Sequence, residues 1–214
     1  MVFSGWPAEA IEFYEGLAAD NSKSYWVAHK TVYDELVHRP MTELLAELEP
    51  EFGEGKIFRP YRDLRFSRDK SPYKTVISAT LSRGGYVQFS AAGLSAGCGK
   101  YVLSPGQLDR YRHAVADDAS GVPLAAIVAQ AQQAGLDVAA HDTLKTCPKG
   151  YPKDHPRVDL LRHKGLIAWR EWPAGAWLGT PEPKTRIARF LHAAAPLKDW
   201  LDKHVGSDGD VHED

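Results

Sequence analysis

Two cysteines in 214 residues, Cys98 and Cys147, are too few for a disulfide framework, and neither stands in a CxxC or zinc-ligand spacing. Two unpaired thiols are therefore expected, and with them a cytoplasmic setting. No run approaches the ~20 apolar residues that span a bilayer, so no membrane partner is expected. The opening MVFSGWPAEAIEFYEG acquires acids almost at once, unlike the charged and apolar regions of a secretory leader. Nine histidines show no HExxH or comparable spacing, which argues against a metal site. No GxxxxGK[ST] phosphate loop is present, and no helix-turn-helix, zinc-finger or RNA-binding signature. The net charge is only −2, so no global basic field points to generic nucleic-acid binding. Nothing in the residues names a cofactor.

What is present is ordinary globular composition, 43% hydrophobic and 25% charged. The length suits one domain, read here as residues 1–205, followed by a disordered acidic tail over 206–214. Apolar positions Ala10, Phe13, Tyr14 and Leu17 predict a helix with Pro7 at its first turn. A longer stripe of aromatic and aliphatic residues from Tyr25 to Leu48 follows at helical spacing, interrupted by Pro40, and reads as core. KIFRPYRD predicts a strand over 57–63. TVISATLS and YVQFSAAGL alternate about an RGG turn, and a third strand follows in GLSAGCGKYVL. These strands predict an antiparallel meander with one face open to solvent. Ser104, Pro105 and Gln107 form a capping box, and a second helix ends at Gly135. LDVAAHDTLK and LIAWREW read as strands with a short helix, DLLRHK, before the second, and Thr180 opens a helix that Pro196 is expected to break. Helices, then strands, then both without a regular βαβ order predict an α+β fold: an antiparallel sheet with helices mainly on one face.

Charge is segregated along the chain. Between Lys56 and Thr75 stand seven cations (Lys56, Arg59, Arg62, Arg65, Arg68, Lys70 and Lys74) against Asp63 and Asp69. That segment is +5, and the remainder is −7. On a strand over 57–63, Arg59 and Asp63 share one face and Arg62 takes the other. Ser67, Arg68, Asp69, Lys70 and Ser71 would then follow in a turn-rich loop. Arginine forks, a lysine point charge and loop amides suit a phosphate or carboxylate. In the other reading, the two aspartates pair with arginines while Tyr61, Phe66 and Tyr73 pack the cationic stems into a structural clasp. Two acids cannot neutralise seven cations, which tilts the balance modestly toward a ligand.

Two further clusters stand out. PKGYPKDHP and RHKG supply Lys149, Lys153, His155, Arg157, His163 and Lys164, with Asp154 beside His155. A His–Asp pair suits general base chemistry, whereas Asp154 also suits the N-cap of the following helix. In AGCGK, Cys98 between glycines is a nucleophile only with a base nearby; a strand bulge is the plainer reading.

RDLRFSRDKSPYKT, preceded by KIFRPY, resembles the signature of a widespread bacterial family, domain of unknown function 2461. DNSKSYWVAHKTVY, GCGKYVLSPGQLDRYR and CPKGYPKDHPRVDLLRHKG are similar to further motifs of that family in the same order, across roughly residues 3–201. Cys98 stands where the family usually has a glycine, and Asp20 where it usually has an asparagine. The resemblance implies a single domain and one constellation of these motifs, but no reaction.

The expectation is a cleft for an anionic small molecule. Its ligand-binding residues would be Arg59, Arg62, Arg65, Ser67, Lys70, Tyr73, Lys74 and Lys149, with Asp63, Asp69 and His155 as weak acid–base candidates. A non-catalytic scaffold with a structural clasp is the alternative. A nucleic-acid partner ranks third.

Overall fold

The structure is a computed structural model that describes residues 2–63 and 70–206. The expected α+β architecture is present: six strands in the order β1-β2-β3-β4-β6-β5, with helices before, between and after them. The antiparallel registers include Ile77 opposite Phe89 in β2–β3 and Val138 opposite Ala168 in β5–β6. The chain divides into two compact units, residues 1–96 with 171–189 and residues 97–170 with 190–214.

In the first unit, α1 (Ala8–Ala19) buries the four residues its periodicity marks: Ala10, Phe13, Tyr14 and Leu17. The long aromatic stripe becomes α2 (Lys23–Ala28), α3 (Lys30–Val32), a π-helical turn (Tyr33–His38) and α4 (Arg39–Phe52). Pro40 lies in the first turn of α4, where a missing amide costs least, and the widened π register falls just before it. Trp26, Tyr33, Val37, Met41, Leu44, Leu45 and Leu48 are core, as the stripe predicts. Helix α4 packs on β1 (Gly55–Ile57) and β2 (Val76–Leu81). Trp6 stacks on Phe89 of β3 (Gly85–Ser90) at 4.6 Å and donates its indole N–H to the Val37 carbonyl.

Three expectations need correction. Strand β1 stops at Ile57 instead of running to 63; Pro60 has no amide to donate, and a single bridge, Tyr61 to Tyr73, is formed beyond it. The alternation that would put Arg59 and Asp63 on one strand face therefore does not apply. The sheet centre is not open on one face: Ser78 and Ser95 are buried, and β4 (Gly93–Lys100) is buried from Gly93 through Cys98. Pro196 does not break the last helix, α8 (Glu182–His204). Its buried face carries Ile187, Phe190, Leu191, Ala194, Leu197, Trp200 and Leu201, so side-chain burial on both sides of the proline sustains the helix.

In the second unit, α5 (Pro105–Ala116) begins at the predicted capping box, Ser104 and Gln107 exchanging hydrogen bonds with each other's backbone. Helix α6 (Asp118–Gln133) starts earlier than expected, with Pro123 inside it, and packs on α5 and on β5 (Asp137–Ala139). The short helix α7 (Val158–Arg162) and β6 (Leu166–Pro173) follow. Gly99 has φ +129°, and a Cβ there would stand 2.4 Å from the Leu166 carbonyl oxygen, so its side-chain-free backbone is a condition of strand approach. The predicted tail lies outside the described residues except Gly206, whose amide still bonds the Leu201 carbonyl.

Candidate ligand-binding site

The cationic segment of the first unit rises from an aromatic base. Tyr61 and Tyr73 form an isolated antiparallel bridge, flanked by Arg62 N–H to the Pro72 carbonyl (2.9 Å) and Lys74 N–H to the Pro60 carbonyl (2.8 Å). Asn21 closes this base from α2's approach. Its amide nitrogen donates to the Tyr73 carbonyl at 3.1 Å, and its amide oxygen accepts the Tyr73 N–H at 3.0 Å. That two-way match is a β-ladder contact made by a side chain, which is the chemistry only Asn or Gln supplies. The Tyr73 ring is buried and stacks on Trp26 with centroids 4.4 Å apart and planes 7° apart. Two motifs that are 52 residues apart are thus joined by one asparagine.

Arg59 and Lys70 are exposed, and Arg62 and Lys74 are half-buried. Lys74 Nζ lies 5.6 Å from the centroid of the Phe58 ring, a cation–π arrangement. Arg62, Asp63 and Lys70 each interact with other groups of the chain. Tyr73 serves the base with its ring and backbone, and Tyr61 stands beside it half exposed. Arg65, Ser67 and Asp69, with Arg68, lie outside the described residues.

Lys149 and His155 belong to the second unit. Lys149 is exposed on a turn closed by the Tyr151 N–H and the Pro148 carbonyl. His155 is spent on the backbone: Nδ1 accepts the Arg157 N–H at 3.0 Å, leaving Nε2 to face the Ala116 carbonyl at 3.4 Å as donor. Asp154 is not the cap of α7, because that helix begins only at Val158 with Arg157 in the capping position. Arg157 is a latch. Its buried guanidinium donates to the Val115 and Ala116 carbonyls at the end of α5 and pairs with Asp118 at 2.7 Å. Gly121 makes room for it, since a Cβ there would lie 2.5 Å from Arg157 Nε. Cys98 is a poor nucleophile, its thiol pushed up to about 11 by burial. Among the described residues no group of His, Cys, Asp and Glu could hold a metal ion.

The second unit holds a pocket of about 450 Å³ that none of the expected site residues lines. One wall is Tyr101 and His141, stacked at 4.5 Å with Tyr101 Oη and His141 Nδ1 2.5 Å apart. Val102, Leu103 and Leu108 supply apolar lining, and Asp142 and Lys164 form an ion pair of 2.6 Å. The Lys164 ammonium holds the Asp142 carboxyl below the usual carboxylate range, helped by the Thr143 amide. Lys164 stood in a recognised cluster; Tyr101 followed the AGCGK motif; His141 and Asp142 sat in a segment read only as a strand. The adjacent His–Asp of AAHDT was the available signal.

An α+β protein with a cationic segment flanking the Tyr61–Tyr73 bridge and, in its second unit, a mixed-polarity pocket is the class that this geometry defines. The chain belongs to the family described as conserved hypothetical protein (DUF2461), whose family model matches residues 9–200. No curated protein and no solved structure matches it. No helix among the described residues is long and apolar enough to cross a membrane.

Proposed function

We propose that this protein binds a small phosphate- or carboxylate-bearing ligand at the cationic segment, with Arg59, Arg62, Lys70 and Lys74 supplying the charge. The observation that carries this reading is the clamp beneath them. Asn21, Trp26 and the Tyr61–Tyr73 bridge fix the backbone from which Arg62 and Lys74 project. Preorganised donors lose little freedom on binding, and a local +5 segment concentrates anions even on a chain of net −2. Both thiols are free, which suits a cytoplasmic site of action.

The test is calorimetric titration with pyrophosphate and citrate. Arg62→Ala and Lys74→Ala should leave the thermal midpoint within a few degrees and weaken binding at least tenfold. The clasp reading has its own support, in that Arg62, Asp63 and Lys70 already have interactions within the chain. It gains the field if the wild-type chain takes up neither anion and Arg62→Ala loses about 2 kcal/mol or more of stability.

A further inference from the structure

The pocket of the second unit differs from the cationic segment in chemistry. Its charged residues cancel: Lys164 Nζ and Asp142 Oδ2 are 2.6 Å apart, and both side chains remain partly open to solvent, 40% and 57%. An ammonium has three protons and this contact uses one, while a carboxylate has lone pairs on two oxygens. Each head can therefore accept a second partner of opposite sign. A lone anion drawn to Lys164 would meet Asp142 beside it, and a lone cation drawn to Asp142 would meet Lys164. Only a ligand carrying both signs a few ångströms apart is attracted by both heads at once.

The rest of the lining says what the ligand's body is. Leu103 is almost fully buried, while Tyr101 and Val102, 55% and 67% exposed, present apolar surface that a ligand could cover. The Tyr101–His141 stack and its hydrogen bond hold that wall in one orientation before any ligand arrives. Backbone contacts fix the charged end as well. The Lys164 N–H bonds the Asp142 carbonyl at 2.9 Å, and the Lys164 carbonyl accepts the Leu103 N–H at 3.2 Å. Gly165 permits this approach, for a Cβ there would lie 2.3 Å from the Tyr101 carbonyl oxygen. The pocket is a half-open cleft whose volume of about 450 Å³ suits a small molecule.

We propose that this pocket binds a zwitterionic ligand, a free α-amino acid with an apolar or aromatic side chain. The ligand carboxylate lies against Lys164, its ammonium against Asp142, and its side chain against Leu103, Leu108 and the Tyr101–His141 wall. Arg62 is not among the residues lining this pocket, so Arg62→Ala should not change amino-acid binding.

The experiment is calorimetry on the full chain with L-leucine and L-phenylalanine, set beside two half-ligands, 3-phenylpropionate and phenethylamine. The amino acids are expected to bind, and each half-ligand at least tenfold more weakly than L-phenylalanine. Lys164→Met and Asp142→Asn should each weaken amino-acid binding tenfold or more. Val102→Trp, at an exposed position, should block the pocket while leaving the thermal midpoint unchanged, which keeps the test decisive if the charge variants fold poorly. The proposal is overturned if neither amino acid binds at ~10 mM, a concentration that reveals even a millimolar site. It is equally overturned if a half-ligand matches L-phenylalanine, or if Val102→Trp binds as the wild type does.

Discussion

His163 sits next to the charged end of the second unit's pocket, yet its own ring nitrogen Nδ1 is buried without a hydrogen-bond partner. Burial lowers its pKa from the ordinary 6.5, with Arg162 acting in the same direction and Asp159 opposing. The folded protein therefore holds this imidazole neutral at a pH where the unfolded chain protonates it. The unfolded state then binds more protons, so stability is fully present above about pH 6.5 and falls as pH drops from there toward the folded pKa. Urea midpoints from pH 7.5 to 5 should decline in the wild type and decline less in His163→Gln; parallel curves would show that another group is responsible. Arg157 illustrates the opposite case, a buried charge whose donors are taken up by two carbonyls and a carboxylate. Both residues stood in one basic cluster of the sequence, and composition could not separate a structural latch from a ligand contact. The distinction depends on which carbonyls the fold delivers to each side chain.

At the scale of elements, the Tyr61–Tyr73 bridge is braced by a residue far away in sequence. Asn21 makes two hydrogen bonds to the backbone of Tyr73, replacing the neighbouring strand that Tyr73 lacks there. Removing it leaves a partly buried N–H and C=O unsatisfied, at a cost of about 2 kcal/mol. Asn21→Ala should lower urea stability by that amount and weaken pyrophosphate binding with Arg62 and Lys74 intact; unchanged stability would remove the clamp from the account. Helix boundaries were legible where local chemistry sets them, as at the Ser104–Gln107 capping box. They were not legible at Pro196, which reads as a breaker but stands inside α8 because the flanking apolar face is buried. Strand β1 failed in the other direction: its hydrophobic character continues past Ile57, but Pro60 cannot donate to a ladder.

For the molecule as a whole, the charge pattern sets what kind of partner is attracted. On the proposed reading a +5 segment serves a small anion, whereas the remaining −7 of the chain opposes a long nucleic-acid backbone. The chain should pass through heparin and single-stranded DNA columns at 150 mM salt while binding pyrophosphate. Retention with a steep salt dependence would instead make nucleic acid the partner. Family membership over residues 9–200 agrees with the motif resemblance, and it brings no reaction with it.

The sequence alone determined the α+β class, the helical core stripe, the capping box and the family, because periodicity, cap chemistry and motif order are local properties of the chain. It also located the excess of positive charge. Only the tertiary structure decided that Asn21 clamps Tyr73, that Arg157 and His155 are spent on backbone groups, and that Tyr101, His141, Asp142 and Lys164 line one pocket. Most of those contacts join residues tens of positions apart, such as Asn21 with Tyr73, Arg157 with Val115 and Asp142 with Lys164. Which hydrogen-bonding groups meet is set by how helices and strands pack, and a list of side chains does not contain that information.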